Sequence, residues 1–405
     1  MKISKGLADA CLCVLLINFC ATSAAPAWPQ VGDVNAAAPI APVDENKPVI
    51  QMAILLDTSG SMSGLIDQAR TELWAIVNEF IFARKNGKAP ELQVALYEYG
   101  KSSLARKQGY IRRIVPLTTD LDKVSEELFA LKTNGGSEYC GWVIKQAAES
   151  LQWSDSPDEL KVIFIAGNEP FTQGPVDYQK ACKQAASRGI IVNTIHCGPE
   201  QQGISGKWKD GALLADGEFM NINHNRRVVH IQAPQDNEIA ELGRVLNETY
   251  IPYGAHAELA RARQAKQDEN AAAVAKEAVI QRAVTKSSVH YRNESWDLVD
   301  AIANDKLEFE QLKDEELPKK MQKMNTSERK AYVEQKSKHR SEIQEKIQQL
   351  NQQRKTYVAE QMQKNQEQHN TLGSAIILAI RRQALRLNFK FQPAKETQEK
   401  PEHTD

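Results

Sequence analysis

The sequence predicts an α/β fold, a doubly wound and mostly parallel six-stranded sheet, followed by an all-α C-terminal region. Three observations lead there. Strand-like apolar runs alternate with amphipathic helical patterns between residues 48 and 253, and such alternation builds a parallel sheet covered by helices on both faces. Val162–Ile165 is apolar at every position, as in a central strand buried on both sides. After Tyr253 the composition shifts to Ala, Lys, Glu, Arg and Gln, which favour helices.

Strands are expected at Pro48–Leu56, Leu92–Tyr99, Ile111–Pro116, Leu160–Ala166, Ile190–His196 and Glu218–Ile222. The first contains the run Ile50–Leu56, broken only by Gln51. A helix is expected at Leu65–Lys85, where Leu65, Ala69, Leu73, Ile76, Val77 and Phe80 recur at helical spacing. Further helices are expected at Leu121–Leu131, Gly141–Leu151, Pro175–Arg188 and Glu238–Asn247, with Pro175 suited to a first helical turn. Gly198–Gly217, which holds Trp208 and several glycines, reads as a less regular insertion.

Beyond the sheet, Ala255–Thr285 reads as helix. Ser295–Val299 looks like a capped helix start, and Pro318 marks a break. A long helical pattern covers Thr326–Leu387. Ile343, Ile347, Leu350 and Tyr357 share one heptad seam with Arg354 and Gln361. Those polar members argue against a long two-stranded coiled coil and leave a helical hairpin packed back on the domain as an equal reading. The apolar segment Ala375–Ile380 spans about two turns, which suits a packing contact.

The chain has 405 residues and a formal net charge of −1. Basic and acidic residues are interleaved, so no basic face for nucleic acid is implied. Lys2 and Lys5, the apolar stretch Ala8–Cys20 and the small residues Ala21–Ala25 read as a secretory signal over residues 1–25, cut after Ala24 in preference to Ala25. Export to a periplasmic or extracellular location follows, with an uncleaved N-terminal anchor as the alternative. The expected divisions are an Ala/Pro-rich linker over 26–47, the α/β domain over 48–253, a helical region over 254–323, a long helix or hairpin over 324–392, and a polar tail over 393–405. Cys140, Cys182 and Cys197 remain after the signal. An oxidising compartment permits one bridge among them, Cys140–Cys197 being the better placed pair, with three free thiols as the alternative.

The most informative stretch is Asp57-Thr58-Ser59-Gly60-Ser61-Met62, directly after the first strand. It places one carboxylate and two hydroxyls on a tight turn at the strand's carboxyl end, where open α/β sheets bind ligands. Small oxygen ligands suit a hard divalent cation such as Mg²⁺. This Asp-x-Ser-x-Ser turn, with a strand before it and an amphipathic helix after it, resembles the metal-ion-dependent adhesion site (MIDAS) of the von Willebrand factor A (VWA) family. The resemblance covers about Pro48 to Tyr253 and implies a Rossmann-like domain whose third strand pairs antiparallel at the sheet edge.

The resemblance also implies a second-loop hydroxyl. Ser137, in the loop Thr133–Glu138, fits that position with Ser in place of the usual Thr, and Thr133 is the fallback. The family's third loop usually reads Thr-Asp-Gly, whereas this chain reads Ala166-Gly167-Asn168. Gly167 therefore stands where the family carries Asp, which removes one negative charge. Asn168 or Glu169 compensates from the next positions, or Glu169 is a solvated loop carboxylate. The implied metal set is Asp57, Ser59, Ser61, Ser137 and Glu169, holding Mg²⁺, or Mn²⁺ or Ca²⁺ in its place. Family sites often keep one coordination position open for an Asp or Glu carboxylate of a partner protein, and Glu98, Glu138 and Glu169 are candidates for its rim. An exported adhesion or scaffolding protein is the leading expectation. A structural cell-envelope protein with a degenerate, non-functional metal site is the alternative. No H-E-x-x-H, G-x-S-x-G or G-x-x-x-x-G-K-[ST] motif occurs, and the lone His196 reads as a packed or loop residue, so an enzyme is not expected.

Overall fold

The computed structural model describes residues 47–391 apart from 227, 229, 305, 310, 311 and 366–370. The expected signal, nearly all of the linker and the polar tail lie outside the described residues. The strand β1 (Val49–Asp57) is buried at every position, in keeping with an apolar run broken only by Gln51 before the terminal Asp57. With β2 (Glu91–Tyr99), β3 (Ile111–Thr118), β4 (Leu160–Gly167), β5 (Ile191–Cys197) and β6 (Phe219–Ile222) it forms one sheet in the order β3-β2-β1-β4-β5-β6. All neighbours are parallel except β3, which runs antiparallel to β2 at the edge. Pro116 lies in that edge strand, where a missing N–H is tolerated. The register pairs Asp57 with Tyr99, Leu56 with Ala166, and Gly167 with His196. The carboxyl ends of the four central strands therefore meet along one border.

Helices cover both faces. On one lie α1 (Ser63–Glu79) and α2 (Leu121–Ala130); on the other lie α3 (Cys140–Ser150) and α4 (Tyr178–Ser187). The expected irregular insertion contains two short helices, α5 (Glu200–Ser205) and α6 (Trp208–Leu213), with Trp208 fully buried. There follow α7 (Asp236–Leu246), α8 (Ala257–Val274), α9 (Lys276–Lys286), α10 (Leu298–Ala303), α11 (Lys319–Gln322), α12 (Thr326–Asn365) and α13 (Leu372–Arg386).

Three expectations are corrected. The first helix stops at Glu79 and not at Lys85: Phe80–Phe82 tightens into a 3₁₀ turn, and Ala83–Arg84 pairs antiparallel with Lys390–Phe391. Pro175 lies outside its helix. α4 starts at Tyr178, where the Asp177 carboxylate accepts the Gln179 N–H at 2.8 Å as an N-cap. The single helical pattern Thr326–Leu387 divides into α12 and α13.

α13 packs on the sheet. Leu372, Ile376, Ala379 and Ile380 enter the same core as Leu65, Leu73 and Trp74 of α1. Its N-terminus is held from α1. Gln68 Oε1 accepts the Leu372 N–H at 2.9 Å, and the Glu72 carboxylate accepts the Thr371 hydroxyl at 2.6 Å and the Gly373 N–H at 2.7 Å. Carboxylates suit that position because the first N–H groups of a helix lack intrahelical partners. Further along, the side-chain amides of Asn193 in β5 and Gln383 exchange two buried hydrogen bonds, at 3.0 and 2.6 Å. Two arginines of α12 are paired inside the chain. Arg354 binds Asp236 at 2.7 Å and Glu277 at 2.5 Å, and Arg340 binds Asp297 and Asp300 at 2.6 Å each.

Candidate metal centre

The turn after β1 leaves the sheet at Asp57. Its Oδ1 accepts the Ser59 N–H at 2.7 Å, which folds the chain back on itself. Thr58 turns the other way, donating its hydroxyl to Glu98 at 3.3 Å and to the Tyr99 carbonyl at 3.2 Å. The Ser59 and Ser61 hydroxyls face one another at 3.4 Å. Asp57 is 0 % exposed, and its Oδ2 is buried with no hydrogen-bond partner among the described residues. An unpaired carboxylate oxygen in such a place carries a large desolvation cost unless something positive sits beside it.

Two further loops close on this turn. Asn134 donates its N–H to the Thr58 carbonyl at 3.1 Å, and Ser102 donates to the Gly135 carbonyl at 2.5 Å. Gly100, at φ 81°, lies between: a β-carbon there would stand 2.8 Å from both Asp57 Oδ1 and Glu138 Cγ. From the end of β4, Asn168 donates to the Ser61 hydroxyl at 3.4 Å, and its Oδ1 is likewise buried and unpartnered. Gln173 ties the loops together by accepting the Glu138 N–H and donating to Glu169, each at 3.2 Å.

Asp57, Ser59 and Ser61 are thus brought together. Glu169 lies close enough for its charge to repel that of Asp57. Ser137 is half-buried, and its hydroxyl makes no hydrogen bond among the described residues. The loop turns Glu138 toward Asp57 and the Ser59 hydroxyl instead. Burial, opposed by the hydrogen bonds of Ser59, pushes the Asp57 carboxyl up to about 7, and the Glu169 charge adds to the rise. Burial and then the charges of Asp57 and Glu169 push Glu138 up to about 7 as well. Glu138, expected only at the rim, and Asn168, expected as the alternative to Glu169, stand outside the five-residue ligand set read from the sequence. The Gly-Gly turn before Glu138 left its side-chain direction open, and the only signal for it was a carboxylate at the end of the loop.

The Asp57 carboxylate, the Ser59 and Ser61 hydroxyls and the buried, unpartnered Asn168 Oδ1 are oxygen donors of the kind that suits a hard cation. No group of three or more His, Cys, Asp or Glu side chains among the described residues is arranged to hold a metal, so hydroxyl and amide oxygens would have to complete the shell. Gly167 ends β4 against the same carboxylate, with a β-carbon position 3.1 Å from Asp57 Oδ2. Beside Ser61 a cleft of about 630 Å³ opens, lined by Asn168, Glu169, Thr172, Gln202, Ser205 and His224.

His196 lies at the end of β5 and is packed. Its Nδ1 meets Asn221 Oδ1 at 3.0 Å, and its ring stands edge-on to Trp208. The three cysteines are free and buried, which corrects the favoured Cys140–Cys197 bridge. Cys140 packs with the core of one sheet face and Cys197 with that of the other, so the sheet separates them. Among the described residues no helix is long and apolar enough to cross a membrane.

Residues 51–206 match the family model of the von Willebrand factor type A domain. The sheet and its flanking helices have that domain's Rossmann-like fold, followed by an all-helical C-terminal region. Solved structures similar to the chain include BatB, a conserved hypothetical protein from Bacteroides thetaiotaomicron, at 16% identity over 43% of this chain and 90% of that one, with a TM-score of 0.32. The VWA domain of SpRpn10 matches at 17% identity over 45% of this chain and 100% of that one, with a TM-score of 0.32. Proximal thread matrix protein 1 of the mussel byssus matches at 10% identity over 43% of this chain and 41% of that one, with a TM-score of 0.31. No curated protein matches the chain.

Proposed function

We propose that this protein is an exported adhesion or scaffolding protein, and not an enzyme, whose VWA domain binds a carboxylate of a partner protein through a divalent cation. Protein–protein interaction in general is what a VWA domain suggests. The observation that carries the finer reading is the Asp57 carboxylate, fully buried at a sheet border with one oxygen unpaired beside two facing serine hydroxyls. Asp57, Ser59 and Ser61 would hold Mg²⁺, or Mn²⁺ or Ca²⁺ in its place, with Glu169, Ser137 and the Asn168 carbonyl as the nearest additional oxygens. Bound there, the ion supplies a positive charge that neutral hydroxyls leave largely undiminished, and so attracts an external Asp or Glu side chain. The N-terminal residues 1–25, read as a secretory signal, support a periplasmic or extracellular place of action.

The test compares the parent protein with Asp57→Ala. Calorimetry with Mn²⁺ is expected to give binding to the parent and none to the variant, with circular dichroism unchanged. Equal uptake by both would remove the ion from the site. Pull-down from envelope extract is expected to retain a partner in Mg²⁺ and to lose it in chelator.

One observation favours a second reading, a structural envelope protein with a degenerate site. Gly167 brings no carboxylate to the place where the family has Asp. Partner capture that survives both chelator and Asp57→Ala would favour it.

A further inference from the structure

Beside the metal turn lies a row of three half-buried aromatic rings. The centroids of Tyr110 and Tyr139 are 5.6 Å apart, and those of Tyr139 and Trp142 are 6.3 Å apart with the planes within 2° of parallel. The row is fixed from behind. A β-carbon on Gly109 would lie 2.7 Å from the Trp142 ring, and one on Gly174 would lie 2.6 Å from the Tyr139 ring. Tyr110 has φ 55°, a left-handed conformation that bulky side chains rarely adopt and that concentrates at functional sites. Its carbonyl accepts the Gly100 N–H at 3.1 Å, and Gly100 touches Asp57 and Glu138, so the row begins at the border of the metal turn.

The segment leading into this row is cationic. From Lys101 to Arg113 it holds Lys101, Arg106, Lys107, Arg112 and Arg113, and no Asp or Glu. Glu98 engages Lys101 and Arg112 at 3.7 and 2.6 Å, while Arg106 and Lys107 are exposed. Rigid aromatic rings bordered by Arg are the composition of a protein-binding hot spot, and a one-signed loop beside it selects a partner of opposite charge.

We propose that Tyr110, Tyr139 and Trp142, with the cationic loop that precedes them, dock an acidic peptide segment of a partner protein that carries one large aromatic or apolar residue. This rests on the metal-held carboxylate proposed above: one acid of the segment meets the ion, its neighbours meet Arg106 and Lys107, and its large side chain lies on the rings.

The experiment uses the full chain and fluorescein-labelled peptides read by anisotropy, in magnesium and in chelator. The probes are Glu-Asp-Glu-Trp-Glu-Asp-Glu, the same peptide with Ala for Trp, and Lys-Arg-Lys-Trp-Lys-Arg-Lys. The acidic Trp peptide is expected to bind about tenfold more tightly than its Ala counterpart, and the basic peptide not at all. The exposed double variant Arg106→Glu/Lys107→Glu is expected to weaken both acidic peptides about tenfold, and Trp142→Ala to erase the difference between them. Equal affinity for the Trp and Ala peptides, indifference to the charge reversal, an equal response to a single-stranded oligonucleotide, or no binding by any peptide would overturn the docking surface. Chelator and Asp57→Ala report separately on the ion. If they change nothing while the ring and charge variants act as stated, the docking surface stands and the metal-held carboxylate falls.

Discussion

Gly167 and Tyr99 compete for one space: a β-carbon on Gly167 would lie 2.5 Å from the Tyr99 hydroxyl, which is held in place by the Ala166 carbonyl at 3.0 Å. The missing third-loop carboxylate is therefore built into the packing, because the buried phenol fills the volume a side chain would need. Gly167→Asp alone is expected to destabilise the protein by about 1–3 kcal/mol through overpacking, measured by urea denaturation. Tyr99→Phe in the same background should recover part of that loss and give tighter Mn²⁺ binding by calorimetry than the parent. A Gly167→Asp protein as stable as the parent would contradict this account.

Arg282 ties the sheet domain to the helical region. It is 2% exposed, binds Asp122 of α2 at 2.7 Å and Asp268 of α8, and lies 4.8 Å over the Trp74 ring. Arg282→Met is expected to cost about 3–5 kcal/mol, because it strands buried carboxylates. Adding Asp122→Asn should return part of the loss. Urea denaturation of both singles and the double measures the coupling, and strict additivity would refute it.

α13 belongs energetically to the sheet. Ile376 is fully buried in the α1 core, whereas Leu378, two residues on, is 54% exposed. Ile376→Ala is expected to cost about 2–5 kcal/mol and Leu378→Ala under about 0.5 kcal/mol. Chemical denaturation of the two proteins side by side checks this.

His290 makes stability depend on pH. It is buried against the Phe80 carbonyl, to which Nε2 donates at 2.9 Å, and burial holds its pKa down to about 4 from the ordinary 6.5. Between those values the unfolded chain carries the proton and the folded one does not, so stability falls as pH drops. The contribution is present above about pH 6.5 and declines by about 2 kcal/mol between pH 7 and pH 5. His290→Gln retains a donor without a titration and is expected to lose that part of the pH dependence in denaturation curves taken at both pH values.

Much of the sheet domain was legible in the sequence, for a physical reason. A strand covered on both faces is apolar at nearly every position, and Ile50–Leu56, with Gln51 its single exception, and Val162–Ile165 read that way directly. The turn that carries the candidate ligands was equally plain as a turn, because Asp57, Ser59 and Ser61 lie within five residues of one strand end. What escaped depended on partners distant in the chain. The first helix reads too long in the sequence because Phe80 and Ile81 continue its apolar pattern, while the pairing of Ala83–Arg84 with Lys390–Phe391 that replaces it joins segments far apart in the chain. Arg354 looked like a flaw in a coiled-coil seam until Asp236 and Glu277 appeared beside it. Glu138 is legible only as a rim candidate, because no periodicity fixes the aim of a side chain after Gly135-Gly136.

The seating of α13 sets a schedule for synthesis. The six strands are all made by Ile222, yet the helix that seals one of their faces starts at Leu372. Translation delivers that seal late, so the nascent sheet waits with an open greasy flank, a target for holdases and for misassembly until the tail of the message is read.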